Sequence, residues 1–226
     1  MNRRGSIRLR LTYEKAASLR FISHRDLIRV LGRTFRRIHA PLAHTQGYSP
    51  RPKLSFAPPL PLGIVGKAEL LDLELEHHVD ENDFIEQINE NSPMGLVFKK
   101  AELLLDGAPA LSKIIFSARY CLDARGSELE EPDCREILER KSIEIEKKRK
   151  KDKEAKQVEV RPLLIDLHHF APNEVEAEVK ASPQTISPFV LAKLLWPNIG
   201  DFPLDVLDIS RLGFVSNLAR PLFRLD

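Results

Sequence analysis

Apolar and polar side chains alternate one by one over residues 7–12, and again within the segment 68–76, from Leu71 onward. The polar positions hold Arg8 and Arg10 in the first segment, and Asp72 and Glu74 in the second. A period of two is typical of a β-strand that buries one face and leaves the other in water. Both segments are therefore predicted to be half-buried strands.

Other segments of the first half have helical spacing. Residues 26–39 place their apolar side chains on one face, and Pro41 stops the helix. The residues of that face are Leu27, Leu31, Thr34, Phe35 and Ile38. A second helix is predicted over residues 81–91, capped by Asp80. The remaining extended segments are residues 19–22, 54–56 and 96–104. The predicted order is strand, helix, two strands, helix, strand.

The second half repeats this order of elements. Its predicted elements are a strand at 114–122, a long charged helix at 132–151, a hairpin of 158–170 and 174–181, a short helix at 187–196 and a strand at 206–212. Two successive βαββαβ units match the arrangement of ferredoxin-like domains. The predicted fold class is α+β, with two tandem ferredoxin-like domains. A basic domain spans 1–106, a linker 107–112, and a second domain with the lysine-rich helix 113–226.

Membrane and secreted classes of protein do not fit this sequence. The longest run without Asp, Glu, Lys or Arg is the 13 residues 54–66, and it contains three prolines. A membrane-spanning helix needs about 20 apolar residues. No apolar stretch with a small-residue cleavage site follows the first residues, so no secretory signal is predicted. The expected location is the cytoplasm.

Positive charge is concentrated at one end of the chain. Residues 1–53 contain 13 Lys and Arg against Glu14 and Asp26, so this segment carries +11 and the remainder −9. Dispersed charges would serve solubility equally well, so segregation of this size indicates a surface for a polyanion. Nucleic acid is the first candidate.

The helix predicted from Asp26 presents a ridge of arginines. Arg25, Arg29, Arg33 and Arg36 follow one another at spacings of four, four and three, so they share one side of the helix, opposite the apolar face. Like charges at these spacings weaken a helix slightly, which favours a role in phosphate binding. The alternative is a solvated face with ion pairs inside the helix, for which Asp26 is the available acid.

A loop of mixed chemistry follows this helix. Residues 46–53 combine Tyr48, which can stack on a base, with the cations Arg51 and Lys53 and with two prolines that hold the backbone extended. Such a loop suits single-stranded or looped RNA, whose bases are splayed out. The alternative is a turn in which Tyr48 packs inward.

His24 lies at the predicted junction between strand and helix. Ser23 or His24 can cap the helix, and exposed backbone amides at this position favour an anion. A structural histidine is the simpler interpretation. A general acid or base is the alternative, because the pKa of histidine lies near neutrality.

Residues for metal or cofactor chemistry are few. Cys121 and Cys134 are too few and wrongly spaced for a zinc site or an iron–sulfur cluster, and reduced core thiols are favoured over a disulfide. The histidine pairs at 77–78 and 168–169 point to opposite faces of a strand, so neither pair chelates a metal. Glycine-rich phosphate loops and Gly-x-Ser-x-Gly motifs do not occur in the sequence. The sequence predicts neither a metal nor a cofactor.

Three collinear segments, residues 19–27, 46–56 and 59–63, resemble the radical-SAM-linked protein family, a bacterial domain of unknown function. The resemblance is strong over residues 7–105 and loose beyond them. Members of that family are fused to or encoded beside radical S-adenosylmethionine proteins, often near a ribonuclease of the E/G type. The resemblance implies an accessory role related to RNA, and it supplies no catalytic residues. Because this chain lacks the three-cysteine cluster motif, any radical chemistry would belong to a partner.

The leading hypothesis is an RNA-binding accessory module for tRNA or rRNA that is not catalytic by itself and acts with a radical SAM or RNA-processing enzyme. Two alternatives stay open, namely a metal-independent RNA-cleaving enzyme that uses His24 and an adaptor that docks an acidic protein. The predicted nucleic-acid-binding residues are Arg20, His24, Arg25, Arg29, Arg33, Arg36, Arg37, Tyr48, Arg51 and Lys53.

Overall fold

A computed structural model describes residues 7–124, 128–147, 156–199 and 203–217. The chain is an α+β protein whose described residues divide into two compact units. The first unit contains residues 7–115 and 211–217, and the second lies within residues 116–210. The predicted linker at 107–112 stays a prediction. Within the described ranges, no helix is long and apolar enough to cross a membrane.

The first unit has the predicted order of elements. These are β1 (Ile7–Lys15), α1 (His24–Arg37), β2 (Leu54–Phe56), β3 (Val65–Leu75), α2 (Glu81–Asn91), β4 (Leu96–Leu104) and the short α3 (Leu111–Ile114). The strands lie in the order β4-β1-β3-β2, and every one of these neighbours is antiparallel. Both main helices thus connect strands of a single sheet.

The prediction of an extended segment at residues 19–22 is wrong. The chain forms a 3₁₀ turn at Ala17–Leu19 and continues without strand pairing to α1. The Lys15 ammonium group donates to the carbonyl oxygens of Arg20 at 3.3 Å and Ile22 at 3.1 Å. The Arg20 carbonyl also accepts from the backbone N–H of Gly63 at 2.8 Å, so a side chain and a loop take the place of a neighbouring strand here.

The core of the first unit lies between the sheet and the helices. α1 buries the predicted residues Leu27, Leu31, Thr34 and Phe35, and α2 adds Phe84 and Ile88. The sheet supplies its leucines from β1 and β3, which have the predicted alternation; they are Leu9, Leu11, Leu71, Leu73 and Leu75.

The polar face of β1 and β3 is solvated only in part, at half-buried positions such as Arg8 and Glu74. Arg10 and Asp72 are both buried, and the Asp72 carboxylate accepts from Arg10 Nε at 2.7 Å and from a second guanidinium nitrogen at 2.9 Å. Alternation alone does not distinguish a wet polar face from a buried one whose charges are paired.

The second unit contains two sets of strands. Its elements are β5 (Ile115–Asp123), α4 (Cys134–Glu139), β6 (Glu144–Lys147), β7 (Lys156–Glu159), β8 (Leu164–Ala171), β9 (Glu174–Lys180) and α5 (Pro188–Leu195). β9 pairs antiparallel with β5 and with β8, and β6 pairs with β7. β10 (Asp208–Ser216) follows, and its residues 211–216 belong to the first unit. Duplication of the first half by the second stays a prediction.

The long helix predicted at 132–151 is wrong. The helix ends at Glu139, and residues 144–147 form β6. Ile143 and Ile145 alternate with Glu144 and Glu146, and β-branched residues at a period of two favour a strand. Residues 148–151, and most of the lysine-rich stretch 147–156, lie outside the described residues.

Candidate nucleic-acid interface

The start and end of α1 are fixed by local chemistry. Ser23 is the N-cap residue, and its hydroxyl accepts from the backbone N–H of Asp26 at 3.1 Å. At the other end His39 adopts a φ of 50° and Pro41 follows, so the helix cannot continue. Of the two predicted capping residues, Ser23 therefore caps the helix.

Three of the four ridge arginines line one groove. Arg29, Arg33 and Arg36 are exposed along α1 and form its cationic wall. Pro50 and Pro52, from the loop after the helix, also line the groove. The other lining residues are Gly32, Phe35, His39, Ala40, Leu42 and His44. The groove has a volume of about 800 Å³.

The cationic wall is only partly neutralised. Arg29 pairs with Asp26 at 2.8 Å, and both side chains are exposed. The Ser23 hydroxyl and then the Arg29 guanidinium, both hydrogen-bonded to the Asp26 carboxylate, hold the pKa of Asp26 below its usual value. Arg33 and Arg36 have no acidic partner in the part of the chain that the structure describes. The predicted alternative, a ridge neutralised by its own ion pairs, accounts for one arginine.

The other predicted arginines of this region lie outside the groove. Arg37 donates to the carbonyl oxygen of Asn91 at 2.8 Å, at the end of α2. Arg25 is exposed in the first turn of α1. The Arg20 guanidinium lies 5.0 Å from the ring centroid of Phe21.

Backbone hydrogen bonds hold the loop that faces α1. Thr45 N–H donates to the carbonyl of Arg51 at 2.9 Å, and Lys53 N–H donates to the carbonyl of Ala43 at 2.9 Å. Tyr48 lies at the tip of this hairpin-like loop, and its side chain is fully exposed. Inward packing of Tyr48, one of the two alternatives from the sequence, is therefore wrong.

Arg51 and Lys53 line a second pocket, of about 480 Å³. The Lys53 ammonium contacts the Glu74 carboxylate at 2.7 Å, and Asp72 also lines this pocket. Acidic groups thus accompany the cations here, unlike in the groove beside α1. Five of the residues predicted from the sequence are thus divided between two pockets of different charge.

His24 occupies a third position, over a cavity of about 10 Å³. Its ring meets Phe56 edge-on, with centroids 5.0 Å apart. Tyr13, Lys15 and Glu69 also line this cavity. Burial lowers the pKa of His24; the Glu69 carboxylate opposes that shift, and the Lys15 ammonium adds to it. The neutral imidazole is therefore favoured in the folded protein.

Sequence reasoning missed the charged residues beneath His24. Lys15 and Glu69 are buried, and Glu69 accepts from the buried guanidinium of Arg211, with Nε to Oε1 at 2.8 Å. A second guanidinium nitrogen of Arg211 contacts the other carboxylate oxygen and the carbonyl of Pro58. Burial lowers the pKa of Lys15 and raises that of Tyr13.

The sequence does contain a signal for Lys15 and Glu69, namely their positions in the alternating patterns of β1 and β3. Lys15 continues the inward-facing positions of Leu11 and Tyr13 on β1, and Glu69 continues those of Leu71 and Leu73 on β3. A charge at an inward position of a strand predicts a buried ionic contact.

The lowered pKa of His24 gives a prediction for stability against pH. Since the pKa in the folded state lies below the unfolded value of about 6.5, protonation favours unfolding. The contribution of neutral His24 is present above about pH 6.5 and is lost as the pH falls through the folded pKa. Chemical denaturation at pH 7.5 and 5.0 is expected to show a smaller loss of stability for His24→Gln than for the wild type. Equal losses would mean that the His24 proton is not linked to folding.

The fold and groove described above define a class, an α+β protein with a cationic groove beside its first helix. The chain belongs to the bacterial family described as "Uncharacterized protein conserved in bacteria (DUF2344)", whose model matches residues 8–188. The predicted membership of a bacterial domain family is thereby confirmed, and the link to radical SAM proteins stays a prediction. No curated protein matches the chain. The matched range includes both walls of the groove.

Proposed function

We propose that this protein is an RNA-binding accessory module that holds a tRNA or rRNA segment for a partner enzyme in the cytoplasm. One observation carries the proposal: Arg29, Arg33 and Arg36 line a groove, and two of these guanidinium groups have no acidic partner among the described residues. A guanidinium binds phosphate oxygens in paired, charge-assisted hydrogen bonds, in the same geometry in which it binds a carboxylate. The exposed Tyr48 on the facing loop adds a surface for stacking.

We also propose that the two units have ferredoxin-like folds. The order β4-β1-β3-β2, with α1 and α2 as connections, supports a ferredoxin-like arrangement of the first unit. The second unit has β9 between β5 and β8, which supports a related order there. A radical SAM enzyme is the proposed partner, on the resemblance of the first half of the sequence alone.

The experiment that tests the proposal is purification at low salt, followed by nuclease treatment and sequencing of any RNA that accompanies the protein. We expect one defined class of RNA to copurify. Its binding is expected to weaken with salt, so that log Kd rises linearly with the logarithm of the salt concentration. Protein that is free of RNA and shows no affinity for total RNA at about 50 mM salt would overturn the proposal. Capture of an acidic protein in its place would favour the adaptor alternative.

A second candidate function is metal-independent RNA cleavage. The observation that favours it is the position of His24 over Lys15 and Tyr13, because a neutral imidazole can accept a proton from an RNA hydroxyl. Labelled RNA incubated with the folded protein in EDTA is expected to be cleaved if this is correct, and His24→Ala must abolish the cleavage. Intact RNA after prolonged incubation would contradict this candidate.

A further inference from the structure

We propose that the groove beside α1 is a site for unpaired RNA, which encloses one or two nucleotides of a single strand and excludes base-paired RNA. This inference rests on the proposed function and specifies the form of RNA that the groove accepts. Four features of the groove carry it, namely its size, the difference between its walls, its neighbouring tyrosine and the glycine within it.

Size favours a small portion of a strand. The groove is open to solvent on one side and has a volume of about 800 Å³, which lies within the range of about 300–1,000 Å³ of clefts that bind small ligands. One or two nucleotides fall in that class of ligand. A base-paired helix carries two strands and is too wide to lie within this volume.

The two walls suit different parts of a nucleotide. The α1 wall is cationic, with Arg29, Arg33 and Arg36 spread over two turns, or about 10 Å of helix. The facing wall contains Pro50 and Pro52, which lack a backbone N–H, and His44, which offers a flat ring. Phosphates are expected on the first wall, and unpaired bases or riboses on the second.

Tyr48 belongs to the loop that supplies Pro50 and Pro52 to the second wall. It lies two residues before Pro50, and its ring is fully exposed. A base that leaves the groove can stack on such a ring, whereas bases within a duplex already stack on each other. The exposed aromatic residue therefore favours a single strand as well.

Gly32 leaves space within the groove. It lies in the interior of α1, where glycine weakens a helix relative to alanine, and it lines the groove between the arginines. A methyl group on Gly32 would meet no atom within 4 Å. A longer side chain at this position would therefore extend into the space assigned to the RNA.

The test measures binding of fluorescent oligouridylates of 2, 4 and 8 nucleotides, and of a blunt RNA duplex, by anisotropy at about 50 mM salt. We expect the 4-mer to bind, and the duplex to bind at least about tenfold more weakly per phosphate. Gly32→Ala is expected to leave the affinity for the 4-mer within about twofold, because its methyl group fits the open space.

Two variants of equal size separate charge from bulk. Gly32→Gln is expected to weaken 4-mer binding by a few-fold through occupancy of the groove, and Gly32→Glu by at least about tenfold, because its carboxylate also repels phosphate. Thermal unfolding of all three variants serves as the control for folding. If Gly32→Glu has a lower melting temperature than the wild type, a competition experiment replaces it. A free mononucleotide is then expected to displace the 4-mer from the wild-type protein.

The outcomes separate this inference from the proposed function. Duplex that binds as tightly as the 4-mer, with all Gly32 variants unchanged, would overturn the single-strand site and leave RNA binding intact. No binding of any RNA would overturn both. Binding of poly-glutamate with no binding of RNA would likewise overturn both and identify an acidic protein as the ligand.

Discussion

The triple variant Arg29→Gln, Arg33→Gln, Arg36→Gln is expected to bind RNA with a log–log salt slope that is smaller by about two than that of the wild type. Each phosphate contact to a single strand contributes about 0.7 to that slope. At about 50 mM salt the loss of three such contacts corresponds to a decrease in affinity of roughly 10²–10³-fold. Glutamine keeps the polarity and the helix propensity of these exposed positions, so the fold is expected to persist.

A matched control is available on the same helix. Arg25→Gln removes a cation from the first turn of α1, outside the groove, and is expected to change the affinity less than Arg33→Gln does. Equal effects of the two single variants would mean that RNA responds to the total charge of the helix and not to the groove. An unchanged affinity of the triple variant would remove the arginines from the site.

The second large effect is expected in stability. Glu69→Gln removes a carboxylate that accepts from the buried guanidinium of Arg211, and with it the negative charge that this contact places beside the guanidinium. Breaking a buried ion pair from one side costs about 3–5 kcal/mol. Lys15 is buried nearby, so a second cation also loses the favourable field of Glu69. The free energy of unfolding, measured by chemical denaturation, is expected to fall by that amount.

Two controls accompany this prediction. Glu102→Gln breaks an exposed ion pair with Lys100 in the same unit and is expected to cost less than about 1 kcal/mol. The double variant Glu69→Leu, Arg211→Met removes both charges and is expected to recover most of the lost stability. If Glu69→Gln costs no more than Glu102→Gln, the buried pair does not contribute as described.

The elements of the first unit could be predicted because their patterns are local. The alternation in β1 and β3 and the apolar face of α1 are each visible within a dozen residues, and Ser23 at the helix start is a standard capping residue. The arginine ridge follows from the same helical spacing. The loop at 46–53 was also identified, but its position beside the ridge, where it forms the other wall of a groove, remained hidden because that contact is tertiary.

The errors have physical causes of the same kind. The helix predicted at 132–151 was favoured by charge and length, although Ile143 and Ile145 carry the period of a strand. The polar face of β1 was expected in water, but Arg10 and Asp72 bury each other's charge. Pairing of opposite charges between strands is a tertiary interaction, and the alternation of one segment does not contain it.

The contact between Arg211 and Glu69 has a consequence for folding during synthesis of the chain. The two residues are 142 positions apart in the chain. At ribosomal rates of about 5–20 residues per second, Glu69 waits on the order of 10 s for its counter-ion. During that interval the Glu69 carboxylate depends on the neighbouring Lys15 ammonium to offset its burial. Recombinant fragments that stop before residue 211 retain this defect permanently, so dissection of the protein for binding studies has to keep residues 211–217 with the first unit.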